Sequence, residues 1–250
     1  MAEIFDKYGV KERQGELLAL MKRIHTLFES EGIKYSLCCG TALGAIRHKG
    51  FIPWDDDIDI MVDRENYKKI IELFNEAKSG LAIKRVLWIY RIQDTEDLEK
   101  TSSVPTVDIF VADNCPKSNI LRKIKVSTLK ILQGMMKKQV NYKSFSLFMR
   151  FCLLVTGFLG KFFTDNFKFK MYDKVSRIGN GKETQYMNCY NDTFAALSLK
   201  FEKSVMDNFV LKEFEDTEFP VTAEYDSYLT SQYGDYMTPP REEERISTHM

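Results

Sequence analysis

Between Trp54 and Ile60 the chain sets four carboxylates into five residues, Asp55, Asp56, Asp57 and Asp59, and continues as IDIMV. Side chains alternate across a strand, so Asp57 and Asp59 share one face while Ile58 and Ile60 take the other. If the chain is already extended at Asp55, that carboxylate joins the same face. Like charges about 4 Å apart repel by roughly 1 kcal/mol in water and roughly 4 kcal/mol at an effective dielectric of about 20. Carboxylates this dense beside apolar residues call for a compensating cation. A hard divalent ion with oxygen ligands, most simply Mg²⁺ with Mn²⁺ as the alternative, supplies it. An isolated D-x-D is more often a solvated acidic turn, but three features argue otherwise. The pair lies in a β-branched strand. The preceding Cys38-Cys39-Gly40-Thr41 turn can aim backbone N–H groups and a hydroxyl at a phosphate. And Asp108 sits alone among apolar residues in TVDIFV, where a buried carboxylate needs protonation or a cation.

The elements that must position these groups read as an α+β chain. Leu17, Leu18, Met21, Ile24, Leu27 and Phe28 line one stripe of a helix over 12–31, closed by Gly32. A buried strand is predicted over 33–39, a short helix over 42–48, a turn at 50–53 and a second strand over 57–62. A helix over 64–78 and strands over 82–92 and 105–112 follow. A hairpin near 207–221 precedes a helix with Tyr225, Tyr228, Leu229 and Tyr233, stopped by Gly234. His25, on the first helix, reads as a structural residue.

Thirty-six basic and thirty-six acidic residues cancel, which removes a global electrostatic case for nucleic-acid binding. With 44% hydrophobic and 29% charged residues the chain can bury a core. The charge is unevenly placed. Asn114 to Thr164 carries ten basic residues and no Asp or Glu, leaving a net −10 elsewhere. Its longest apolar run, Phe151 to Gly160, is well short of the roughly twenty residues that span a bilayer. The stretch reads as a helical insertion, either lying on an anionic membrane surface or packing its apolar face on the core. Five cysteines, an odd set without C-x-x-C, and a polar, mixed-charge beginning point to a cytoplasmic protein, with peripheral contact on the inner membrane face if the insertion binds lipid.

The segment GTALGAIRHKGFIPWDDDIDIMVDRENY, with a third Asp on a later strand, resembles the polymerase-β type of nucleotidyltransferase. More closely it is similar to the LicD family of phosphocholine transferases, related to fukutin and fukutin-related protein. The closing YLTSQYGDYMTPPREEERISTHM matches the same family, so the resemblance covers roughly 12–113 and 200–250. It implies one domain, with a core over 1–113, an insertion over 114–175 and a completing part over 176–250. It also implies transfer of a phospho-alcohol from a CDP-activated donor, most simply CDP-choline, to a hydroxyl of a glycan such as teichoic acid or lipopolysaccharide, releasing CMP. By this carry-over Asp57 and Asp59 hold Mg²⁺, Asp55 joins them, and Asp108 completes the metal site or takes the acceptor proton. Gly40 and Thr41 form the phosphate turn. Arg47, His48 and Lys49 stand where donor phosphates bind, although a basic helix end serves the helix dipole equally well. Arg245 and His249 lie one helical turn apart and can reach back to phosphate. Trp54, with Trp88 and several Tyr behind it, is the candidate cage for a quaternary ammonium, with core packing as the alternative.

Other readings use the same carboxylates. A nucleotidyltransferase would attach an NMP to a small molecule rather than release CMP. A glycosyltransferase D-x-D would close a Rossmann-like half, and no such βαβ run precedes Asp57. A glycan-binding module with an inactive site would have no use for Gly40, Asp57, Asp59 and Asp108 together.

Overall fold

The computed structural model describes residues 6–75, 80–97, 104–138 and 146–245. In chain order its elements are α1 (Lys11–Ser30), β1 (Ser36–Leu37), α2 (Cys39–Arg47), β2 (Ile58–Asp63), α3 (Arg64–Asn75), β3 (Leu81–Val86), β4 (Ile89–Asp94) and β5 (Val107–Asn114). Then come α4 (Asn119–Met136), α5 (Leu147–Gly160), α6 (Asp165–Ser176), β6 (Tyr186–Cys189), β7 (Phe201–Glu202), β8 (Phe209–Phe214), β9 (Thr217–Thr222) and α7 (Tyr225–Tyr233). The fold is α+β, a mixed sheet flanked by helices. Two compact units divide it: Met1–Lys84, Tyr90–Val111 and Ser204–Met250 form one, Arg85–Ile89 and Ala112–Lys203 the other.

In the first unit α1 buries Leu17, Leu20, Met21, Ile24 and Phe28, the stripe expected from their spacing. Asp6 accepts the N–H groups of Gly9, Val10 and Lys11 and so satisfies donors at the helix start. Gly32, at φ 61°, ends the helix in the left-handed conformation that suits glycine. The strands run in the order β3-β4-β5-β2-β1-β9-β8. β1 is antiparallel to β2, with Leu37 opposite Ile60, and parallel to β9, with Leu37 opposite Val221. Leu37, Ile58, Ile60, Phe219 and Val221 are fully buried.

Two strand expectations change. The strand over 33–39 shrinks to Ser36–Leu37, because Cys39 already opens α2. The strand over 82–92 breaks into β3 and β4 at Leu87, whose φ of 56° reverses the chain.

The second unit has its own core of Trp88, Leu129, Tyr172, Val175, Tyr190 and Leu197. Buried Lys125 is accommodated because its ammonium donates to the carbonyls of Asn114 and Ile178 at 3.2 and 2.9 Å and sits over the Tyr190 ring. Helices α4, α5 and α6 fill most of the basic stretch, and the compact unit that holds them runs to Lys203. The reason is pairing: Cys189 of β6 lies opposite Ala112 in an antiparallel ladder, and β7 pairs in turn with β6. No single helix among the described residues is long and apolar enough to cross a membrane.

Candidate active site

The first unit gathers the carboxylates at the start of α2. Cys39 stands in the left-handed region at φ 49°, a conformation costly for a residue with a side chain and found where function or packing enforces it. Its N–H points at the Tyr228 hydroxyl of α7, 3.3 Å away. Thr41 is buried, and its Oγ1 accepts the Asp59 N–H at 2.9 Å, while the Cys38 N–H donates to the Asp59 carbonyl at 3.1 Å. Thr41 thus clamps β2 to α2. Gly40 is glycine because Asp55 closes on its backbone. An ideal Cβ at that position would lie 2.8 Å from Asp55 Oδ2.

Gln14 was not singled out from sequence, yet it orients this loop. Buried on α1, it donates through Nε2 to the carbonyls of Ile52 and Asp55 at 3.1 and 2.8 Å. The only sequence signal was a polar residue on the apolar stripe.

The titration of the group follows from the crowding. Burial, then the charges of Asp57 and Asp56 and a hydrogen bond with Asp57, push the Asp55 carboxyl up to about 8. Asp59 is buried and is raised well above the carboxylate range, by burial first and then by Asp57, Cys39, Asp108 and Asp55. Asp108 has a cation beside it. Its carboxylate meets the Arg91 guanidinium at 2.8 and 3.0 Å, an ion pair made possible because the two residues face each other across β4 and β5. Tyr233, at the end of α7, is 46% exposed as a whole residue, and its phenol is pushed up by burial and then by Cys39, Asp59, Cys38 and Asp55. In the sequence Tyr228 and Tyr233 read only as residues of a helix; the tertiary fold sets Tyr228 against Cys39 and Tyr233 within reach of the charges of Asp59 and Asp55.

Among the described residues no three carboxylate, thiol or imidazole side chains form a closed metal cage. The donor set still fits Mg²⁺, which keeps waters and is held by one or two carboxylates together with substrate phosphates.

Beside the carboxylates lies a cluster of opposite character. The Arg245 guanidinium sits 5.2 Å from the Trp54 ring centroid, and His48 meets the same ring edge-on. Arg47 donates to the Tyr236 carbonyl at 2.7 Å, tying in the segment after α7. Burial and then Arg245 lower the Arg47 pKa; burial, Arg47 and Arg245 lower that of His48. Cations set this close repel, and an anion relieves the repulsion.

Residues 32–123 match the family model described as LicD/FKTN/FKRP, nucleotidyltransferase domain. The chain carries a LicD-family domain. Across 98% of its length the chain is 28% identical to the lipopolysaccharide cholinephosphotransferase LicD of Haemophilus influenzae, 97% of which is covered. Two uncharacterized Rickettsia proteins share shorter segments. That of Rickettsia typhi is 39% identical over 31% of this chain and 26% of its own. That of Rickettsia prowazekii is 44% identical over 32% of this chain and 31% of its own.

The first unit thus brings together Gly40, Thr41, Asp55, Asp57, Asp59 and Asp108, with Arg47, His48, Trp54 and Arg245 forming the adjoining cluster. Lys49 goes elsewhere, its ammonium 3.0 Å from Glu213 on β8. Trp88 is a core residue of the second unit, stacked on Tyr172. His25 is structural, its Nδ1 2.8 Å from the Tyr35 hydroxyl. His249 lies outside the described residues.

Proposed function

We propose that this chain is a Mg²⁺-dependent transferase built on a nucleotidyltransferase-like core. It moves phosphocholine, or a related phospho-alcohol, from a CDP-activated donor to a hydroxyl of a cell-surface glycan such as lipopolysaccharide or teichoic acid, releasing CMP. The observation that carries the reading is the crowding of Asp55, Asp57, Asp59 and Asp108 at the start of α2, beside a cluster of guanidinium, imidazole and indole groups. The substrate class rests on analogy with Haemophilus LicD, which aligns over nearly its whole length.

In the transfer, the acceptor oxygen attacks the phosphorus that bears the alcohol. The bond from that phosphorus to the bridging oxygen breaks, CMP leaves with the bridging oxygen, and the hydroxyl proton passes to a carboxylate. Asp57 and Asp59 would hold Mg²⁺, with Asp55 and Asp108 alongside, and the bound ion would supply positive charge against the donor pyrophosphate. Arg47 and Arg245 supply donors to phosphate oxygens. Trp54 already faces one cation, Arg245, and its ring suits a quaternary ammonium. Arg91 holds the Asp108 carboxylate in place for the ion or for the acceptor proton.

The test is CMP release from CDP-choline, CDP-ribitol and CDP-glycerol with Mg²⁺ and a glycan acceptor, alongside Asp57→Asn. Donor-selective release that vanishes in the variant supports both the reaction and the metal site. No release from any CDP donor by the folded protein would overturn the reading and favour NMP transfer from a nucleoside triphosphate.

A further inference from the structure

Helix α5 presents its side chains the opposite way from a helix facing water. Its packed side is already used within the protein: Leu153 is buried, Thr156 meets Gly134 of α4 where an ideal Cβ would lie 2.4 Å away, and Gly160 abuts the Met135 carbonyl at 2.3 Å from such a Cβ. Its outward face, continued into the following turn, carries Phe148 (75% exposed), Phe151 (65%), Val155, Phe158 (61%) and Phe162 (69%). Their spacing of three, four, three and four residues keeps them on one stripe. Contiguous apolar surface beyond a few hundred Å² is rare on soluble monomers and marks a site of interaction.

The surrounding charges identify what covers this face. Arg150 lies within the helix and Lys161 caps its end, and no acid occurs from Asn114 to Thr164. The first acid beyond, Asp165, is held by Lys138 and Lys168, both at 2.8 Å. A second copy docked face to face would set these cations against one another, because a two-fold interface joins identical patches. An anionic lipid surface accepts both the aromatic stripe and the positive border. At fourteen residues α5 is about 21 Å long, short of the roughly 30 Å hydrocarbon core, so it lies along the surface and does not cross.

We propose that α5 and its terminal turn dock in the interfacial layer of an anionic lipid bilayer. The inference rests on α5 and its own neighbours in the second unit and does not depend on the transferase reading.

The test is co-sedimentation of the full chain with vesicles of phosphatidylcholine alone and with about one third phosphatidylglycerol. Binding to the anionic vesicles is expected, weakened about tenfold in partition by zwitterionic lipid or by about 0.5 M salt. Phe151→Ser combined with Phe158→Ser should lower the partition about a hundredfold with unchanged circular dichroism, since both rings are exposed. Arg150→Gln combined with Lys161→Gln should lower it about tenfold. No binding to anionic vesicles would overturn the proposal, as would equal binding by the double Phe variant or indifference to anionic lipid. So would a wild-type dimer in sedimentation velocity that the double Phe variant splits into monomers, which would make the face a homotypic interface.

Discussion

Replacing Gly40 by alanine separates what the glycine does for the site from what it does for the fold. The added Cβ would lie 2.8 Å from Asp55 Oδ2, about 0.6 Å short of the 3.4 Å where ordinary contact begins. What it meets is the far end of a side chain rather than backbone, so the strain is relieved by turning the Asp55 carboxylate away. Alanine is also about 1 kcal/mol better than glycine within a helix, so α2 loses nothing. The fold should keep its Tm. The site should not keep its rate, because a misplacement of about 1 Å in a reacting array costs roughly a hundredfold, and about half that shift on the order of tenfold. The assay is CMP release under saturating donor, with thermal unfolding measured on the same preparation. Gly44→Ala is the counter-case. Its Cβ would lie 2.4 Å from the backbone carbonyl of Gly50, which cannot rotate away, so the expected loss is about 2 kcal/mol and roughly 5 °C in Tm. If Gly40→Ala retained activity within about twofold at unchanged Tm, the placement of Asp55 would not matter to turnover and the reasoning would fail.

Arg91→Met removes the guanidinium from Asp108 and should cost about 2 kcal/mol at pH 7, read by urea denaturation. A loss that does not shrink as the pH falls would count against that pairing. The raised Asp55 carboxyl makes metal-free stability pH-dependent: the folded state holds its proton up to about pH 8 and the unfolded state loses it near 3.8, so stability should decline as pH rises between these values. Mg²⁺ should therefore raise Tm more at pH 8 than at pH 6, and an equal shift at both would contradict the assignment. Tyr172→Phe removes the hydroxyl that donates to the Tyr190 carbonyl at 2.6 Å and accepts from Gln133 at 2.9 Å. About 2 kcal/mol of stability should go, seen by calorimetry.

Much of this protein was legible in residue order alone. The α1 stripe, the β8–β9 hairpin, α7 and its Gly234 stop, and the helical character of the basic stretch all depend on local periodicity and turn chemistry, which neighbours in sequence largely settle. The density of Asp55, Asp57 and Asp59, and the oddity of Asp108 in an apolar strand, were likewise visible without coordinates. Tertiary structure decided what those groups face. Arg91 meets Asp108 only because β4 and β5 pair in one register, and nothing in either segment alone specifies that register. Tyr228 reaches Cys39 across a separation of 189 residues, and Gln14 holds the Asp55 loop from 41 residues away. Lys49 and Trp88, plausible by position, were drawn off by Glu213 and by the second core. The exposed stripe on α5 shows the same division. Its spacing was written in the sequence, but an apolar stripe can face a core or a surface. Only the close approach of Gly134 and Gly160 to their neighbours decided which side of the helix the protein had already used.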